Sequence, residues 1–223
     1  HMLKDGEIDW EKLAHTIRVA VHFLDNVIDM NRFPLGEIKE MTLGNRKVGL
    51  GVMGFADMLL ELGLPYDSEE AVATAEEVMS FIQEKARETS IELAQKRGPF
   101  PNFPQSIYHR PGEPELRNAT LTTVAPTGSI SIIAGSSSGI EPLFAISYVR
   151  RNLLNEGDEL LEVNPYFERI AKERGFYSEE LMRTIAQEGS IQEIEGIPDD
   201  VKEVFVTAHD VAPEWHIRIQ AAF

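Results

Sequence analysis

The chain contains no cysteine. That excludes disulfides, cysteine-ligated zinc, iron–sulfur clusters and any thiol chemistry carried out by this chain itself. Long hydrophobic runs are missing too. Nothing approaches the roughly 18 consecutive apolar residues needed to cross a bilayer, and the N-terminus has no basic-then-apolar signal pattern. Basic residues are few beside acidic ones, 21 Lys and Arg against 37 Asp and Glu, for a formal net charge of -16. A surface of that sign repels nucleic acid and anionic membranes, so neither is expected as a partner. A small anionic ligand stays possible, because its site needs only local amides and one or two arginines. Neither internal repeats nor low-complexity segments occur.

What is present suits a soluble, cytoplasmic protein. At 223 residues and 43% hydrophobic content, the chain can build one sizeable core or a large piece of a bigger domain. His1-Met2 reads as a cloning scar. The last helix, from Pro213 to Phe223, stops inside its apolar pattern, so a longer natural chain is expected.

Helical periodicity predicts a first helix over Ile8 to Met30, with Ile8, Leu13, Ile17, Val21, Leu24 and Ile28 recurring on one face. Arg46 to Gly51 is a strand candidate leading into an apolar helix from Val52 to Leu62, stopped at Gly63. The longest helix runs from Ser68 to about Arg97 and ends at Gly98-Pro99-Phe100-Pro101. Residues 99–118, with prolines at 99, 101, 104, 111 and 114, form an irregular connection, and Ala119 to Val124 is a second strand candidate. Leu143 to Val149 fits a strand or an extended loop. Pro165 to Arg174, Ser178 to Glu188 and Asp199 to Phe205 read as three short acidic helices.

Thr127-Gly128-Ser129 follows an apolar run and Pro126, an order that suits a strand turning tightly into a helix. The first amides of a helix lack internal partners and carry the positive end of its dipole, so such a turn can hold phosphate. It equally suits close packing of a buried hairpin, and it is not a P-loop, because the GK[ST] ending is missing. Gly135 to Gly139 reads as a second tight turn, with Glu141-Pro142 beside it. Gly49-Leu50-Gly51-Val52-Met53-Gly54 fits the dinucleotide pattern GxGxxG, but no second strand ending in an acid follows it. Its glycines are then read as permitting a tight turn and close packing. His15, His22, Asp25 and Asp29 on the first helix read as a solvated polar face, with His22 and Asp25 the only pair at metal-ligand spacing. His209-Asp210, Glu214 and His216 carry no clear pattern. Arg150-Arg151 could neutralise phosphate or pair with nearby acids.

The stretch Thr123-Val124-Ala125-Pro126-Thr127-Gly128-Ser129-Ile130-Ser131-Ile132-Ile133-Ala134-Gly135-Ser136-Ser137-Ser138-Gly139-Ile140-Glu141-Pro142 resembles the signature of the large catalytic subunit of ribonucleotide reductases, in the form of the adenosylcobalamin-dependent class II enzymes. Leu24-Asp25-Asn26-Val27-Ile28-Asp29 with Phe33-Pro34, Arg46 through Asp57, and His216 through Phe223 agree in order and spacing. The match is weakest from about Leu154 to Pro198.

The resemblance implies the second half of a ten-stranded α/β barrel, helix-rich with few parallel strands. Residues 3–153 would be the half-barrel core, 154–198 a helical insertion and 199–223 the final barrel helix region. Ala125, Pro126, Thr127, Gly128, Ser129, Ile130 and Ser131 would hold the phosphates of a ribonucleoside di- or triphosphate, and Glu141 would order the following turn. The family's radical and reducing cysteines are absent, so no catalytic residue or metal ligand is expected in this chain. Adenosylcobalamin is implied for the parent enzyme and not for this chain alone. The expected partners are the remainder of the same enzyme and further copies of the chain through exposed strand edges. The alternatives are a non-catalytic nucleotide-binding or assembly module and, more weakly, an NAD(P)-binding protein using Gly49 to Gly54.

Overall fold

The computed structural model describes residues 2–151 and 159–223, without the side chains of Arg150 and Arg151. Residues 154–158 of the expected insertion therefore lie outside the described residues, as do the arginine side chains considered for phosphate. The chain forms two compact units, residues 2–52 with 76–125 (the N-terminal unit) and residues 53–75 with 126–223 (the C-terminal unit).

The N-terminal unit begins with a small antiparallel hairpin, β1 (Leu3–Lys4) and β2 (Glu7–Ile8). Helix α1 (Trp10–Met30) follows, opened by Asp9, whose carboxylate accepts the Lys12 amide. This cap satisfies an otherwise orphaned donor. Leu13, Ile17, Val21 and Ile28 are buried along α1, as the periodicity predicts. Helix α2 (Gly36–Asn45) buries no side chain, and its missing apolar stripe explains why the sequence pattern does not reveal it. The strand candidates at 46–51 and 119–124 contract to one parallel bridge, Leu50 to Thr122. Val48 N donates to Thr120 O, Leu50 N to Leu121 O and Thr123 N to Leu50 O. An added Cβ on Gly49 would stand 2.9 Å from Thr123 Cγ2, and one on Gly51 3.1 Å from the Thr123 carbonyl oxygen. Gly49 is thus crowded by the Thr123 side chain and Gly51 by the Thr123 backbone. Irregular residues 98–118 are anchored by buried Phe100, Phe103 and Leu116, with the two phenyl centroids 5.4 Å apart.

Asp25 is no part of a solvated face. It is fully buried, and its carboxylate accepts from Arg46, Arg97, Arg117 and Asn118. Burial alone would raise its pKa. The hydrogen bond and charge of Arg46, helped by Arg117 and Asn118, outweigh burial and hold it below the usual carboxylate range. His22, one turn before Asp25, has its Nε2 2.9 Å from Arg97 Nη2, so guanidinium groups fill the space beside this pair. The helical spacing is correct, but partners 21 to 93 residues away decide the environment.

In the C-terminal unit, helix α3 (Phe55–Leu62) ends at Gly63 in the left-handed conformation. Helix α4 (Glu69–Arg97) starts here and continues through the N-terminal unit in sequence; Ala71 and Ala75 are its fully buried positions in this unit. After α5 (Gly128–Ala134), strands β3 (Ser147–Arg151) and β4 (Glu159–Val163) pair antiparallel, Ser147 opposite Val163 and Arg151 opposite Glu159. Helices α6 (Pro165–Arg174), α7 (Glu179–Glu188), α8 (Asp199–Val204) and α9 (Pro213–Ala222) complete it, close to the sequence-based boundaries. Phe167, Met182, Ile185, Ile191, Val201, Phe205 and Ile219 are fully buried around α6 to α9. A second isolated parallel bridge joins Leu143 to Thr207. Among the described residues the architecture is helix-rich, with parallel pairing reduced to two bridges.

Candidate functional site

Pro126 leads into Thr127, the residue that opens α5, as the sequence predicts. Thr127 has φ 52°, a left-handed conformation that strains a β-branched side chain. The strain is held in place because Thr127 Oγ1 accepts the Gly139 amide at 2.7 Å. The amides of Gly128, Ser129 and Ile130 have no partner among the described residues, and Ser131 N is the first to bond back, to Thr127 O. Gly128, Ser129 and Ile130 are exposed, Ala125 is half-buried and Pro126 is exposed. Ser131 is buried, with its hydroxyl between Gly128 O and Ser138 Oγ, 2.9 Å from the latter. The seven predicted residues therefore divide in two. Thr127 and Ser131 hydroxyls brace the turn internally, while the amides of 128–130 and the Ser129 hydroxyl stay outward.

Gly135 ends α5 in the left-handed conformation, and Ser136 N returns to Ser131 O. The Glu141 amide closes a turn onto Ser138 O, so the backbone of Glu141 orders this turn while its side chain stays exposed. A cavity of about 730 Å³ opens beside α5, with Gly128, Ser131, Ser137, Glu141, Tyr148 and Tyr166 in its walls together with Asp57 and Glu162. Tyr148 donates to Glu162 across the β3–β4 pair. Burial raises the Tyr166 pKa, with Glu61 and Asp57 adding to it, so its phenol stays protonated and able to donate. Burial, and then Glu61, hold Asp57 above the usual carboxylate value against the lowering pull of Ser137.

Asp57 is the residue that sequence reasoning missed. The available signal was its position on α3, between Phe55-Ala56 and Leu59-Leu60, all buried. An acid on the buried face of a short helix needs a partner. The GxGxxG turn belongs to the same arrangement. Gly54 N donates to Ser137 O and Phe55 N to Gly139 O, so the amides that a dinucleotide would need are already occupied by the chain itself. His209 faces Phe144 edge-on, and Asp210 accepts from Thr207 and Ser190, both structural roles. Among the described residues no group of three or more His, Asp or Glu converges as a metal site. No helix among them is long and apolar enough to cross a membrane.

The family profile described as ribonucleotide reductase, barrel domain, matches residues 1–115 and 112–223. A vitamin B12-dependent ribonucleoside-diphosphate reductase of Thermoplasma acidophilum is 52% identical over 98% of this chain and 28% of its own length. Its namesake in Mycobacterium tuberculosis (strain H37Rv) is 50% identical over 99% and 31%. The solved class Id ribonucleotide reductase alpha subunit of Actinobacillus ureae superposes with a TM-score of 0.75 at 27% identity, covering 93% of this chain and 38% of that one. The chain thus spans about three-tenths of the length of the curated B12-dependent relatives it matches, and its fold is that of part of the reductase barrel. On the match across its whole length, the chain belongs to the ribonucleotide reductase barrel-domain family.

Proposed function

We propose that this chain supplies the substrate-phosphate shelf of a B12-dependent, class II ribonucleotide reductase, whose parent enzyme converts ribonucleotides to 2′-deoxyribonucleotides. The observation that carries the reading is the outward set of amides at Gly128, Ser129 and Ile130, unpartnered among the described residues, on a chain of this family. Ala125 and Pro126 set the approach, Ser129 adds a hydroxyl, and Thr127 and Ser131 keep the turn in shape. The names of the relatives favour a ribonucleoside diphosphate over a triphosphate.

The same reading divides the chain into core 3–153, insertion 154–198 and final helix region 199–223, and locates it in the cytoplasm with its substrate. The chain is inert alone: without a thiol it cannot carry the thiyl radical or the reducing pair, so chemistry comes from another part of the enzyme. Exposed Ile130, Ile132 and Ile133 on α5 favour both association with that remainder and self-association.

The cavity walls do not suit a bound corrin. They carry the carboxylates of Asp57, Glu141 and Glu162, and no histidine lines them among the described residues. No residue of this chain is therefore assigned to adenosylcobalamin.

Calorimetric titration with ADP and CDP tests the shelf. Saturable binding by the chain, lost on Gly128→Val, is the expected result; equal affinity in the variant overturns the assignment. Adding a fragment that carries the cysteine loop, with adenosylcobalamin and a dithiol, should restore reduction.

A further inference from the structure

The α3 N-terminus and the turn after α5 are joined reciprocally. Gly54, the residue preceding α3, has no side chain to cap the helix, and the capping groups come from 80 residues later in the chain. Ser137 O accepts Gly54 N at 2.8 Å, Gly139 O accepts Phe55 N at 3.4 Å and Ser137 Oγ accepts Asp57 N at 3.3 Å. In return, Ser137 N donates to Asp57 Oδ2 at 2.6 Å, a short charge-assisted bond on a buried carboxylate. This is a capping box assembled across two segments. The same turn then reaches the phosphate shelf through Gly139 N to Thr127 Oγ1 and through Ser138 Oγ to Ser131 Oγ.

We propose that Asp57 is a positioning residue for this site: its carboxylate fixes the Ser137–Gly139 turn, and that turn fixes Thr127 and Ser131. The second half of the inference rests on the phosphate reading above. Asp57 acts without touching the ligand's phosphates. A carboxylate beside them would repel them, and here its charge is directed at a backbone N–H. The left-handed Thr127 cannot relax to an ordinary conformation while Gly139 N holds its hydroxyl, so loosening the turn loosens the shelf.

Amide hydrogen exchange on the 223-residue chain tests the first half without any ligand. In the wild type the Ser137 and Gly139 amides are protected; an unprotected Ser137 amide overturns the proposal before any variant is made. Asp57→Ala should speed exchange at both positions by at least about tenfold, the loss expected for a charge-assisted bond. Protection of the Phe205 amide, bound to Val201 O among buried residues of the same unit, reports whether that variant is folded. Asp57→Asn, which keeps an acceptor oxygen, should restore protection to within about threefold. Exchange in Asp57→Ala within twofold of wild type overturns the positioning role. ADP affinity reads the second half: it should fall by at least about tenfold in Asp57→Ala and recover in Asp57→Asn. Accelerated exchange with unchanged ADP affinity overturns the link to the shelf. Absence of ADP binding in the wild type refutes the phosphate reading instead, and the exchange result then decides Asp57 on its own.

Discussion

Arg46 and Asp25 meet inside the N-terminal unit, Arg46 Nε and Nη2 lying 3.0 and 2.8 Å from Asp25 Oδ1. Arg46 also reaches Asp29 at 2.7 Å and adopts φ 45° at the end of α2, so backbone and side chain are both committed to this contact. The pair is almost free of solvent, with side-chain exposures of 5% and 0%.

Removing one partner of a buried, hydrogen-bonded pair leaves the other charge under-compensated. Asp25→Ala, which removes the carboxylate shared by Arg46, Arg97 and Arg117, should cost about 3–5 kcal/mol in urea unfolding. Lys at position 46 cannot reproduce the fork of donors. Arg46→Lys should therefore lose most of the same stability, and near-wild-type unfolding in both variants would show the contact to be dispensable.

The pH dependence follows from the lowered Asp25 pKa. Its contribution is fully present above the unfolded carboxylate value of about 3.9 and is lost as pH falls through the lower folded value. Asp57 runs the other way. Its raised pKa means that burying the charge opposes folding once pH exceeds the folded value, and stability from this group is complete only below about 3.9. Asp57→Asn should thus be neutral or slightly stabilising at pH 7, whereas Asp25→Asn is destabilising there and flattens the acid limb. Unfolding curves from pH 2 to 8 separate the two signs.

The close approach of Thr123 to two glycines gives a paired test. Gly49→Ala and Gly51→Ala should each cost about 1–3 kcal/mol. Adding Thr123→Ala should recover part of the Gly49→Ala loss, since Cγ2 is the nearest clashing atom. It should recover none at Gly51, where the obstacle is the carbonyl of Thr123. Equal recovery at both positions would refute this geometry.

Thr127→Val keeps the shape of the side chain but removes the acceptor of the Gly139 amide. It should cost about 1–3 kcal/mol, the penalty for an unsatisfied buried donor. Thr127→Pro should be worse, because proline fixes φ near -65° where the chain needs 52°. Thermal unfolding of the two variants beside wild type ranks them.

Much of this fold could be read from residue spacing. The apolar stripes of α1, α6 and α7 and the glycines after α3, α6 and α7 mark helices within a few residues of their bounds. Where burial is absent, as on α2, no stripe exists to read. The turn at Thr127 was visible as a tight strand-to-helix junction, but the division of labour within it was not. Which hydroxyl turns inward depends on Gly139 and Ser138, and nothing local to Thr127 or Ser131 announces them. Asp25 and Asp57 were hidden for the same reason: each looks like any helical acid until its distant partners arrive.

That distance sets an order of events for Asp25. Arg46 emerges 21 residues after it, Arg97 72 residues after, and Arg117 and Asn118 only 92 and 93 residues after. On a ribosome adding roughly 5–20 residues per second, the carboxylate waits several seconds for its last donors. Until then, closing the unit would bury an under-compensated charge. The buried surroundings of Asp25 are therefore complete only once Arg117 and Asn118, just before the Leu50–Thr122 bridge, have been made.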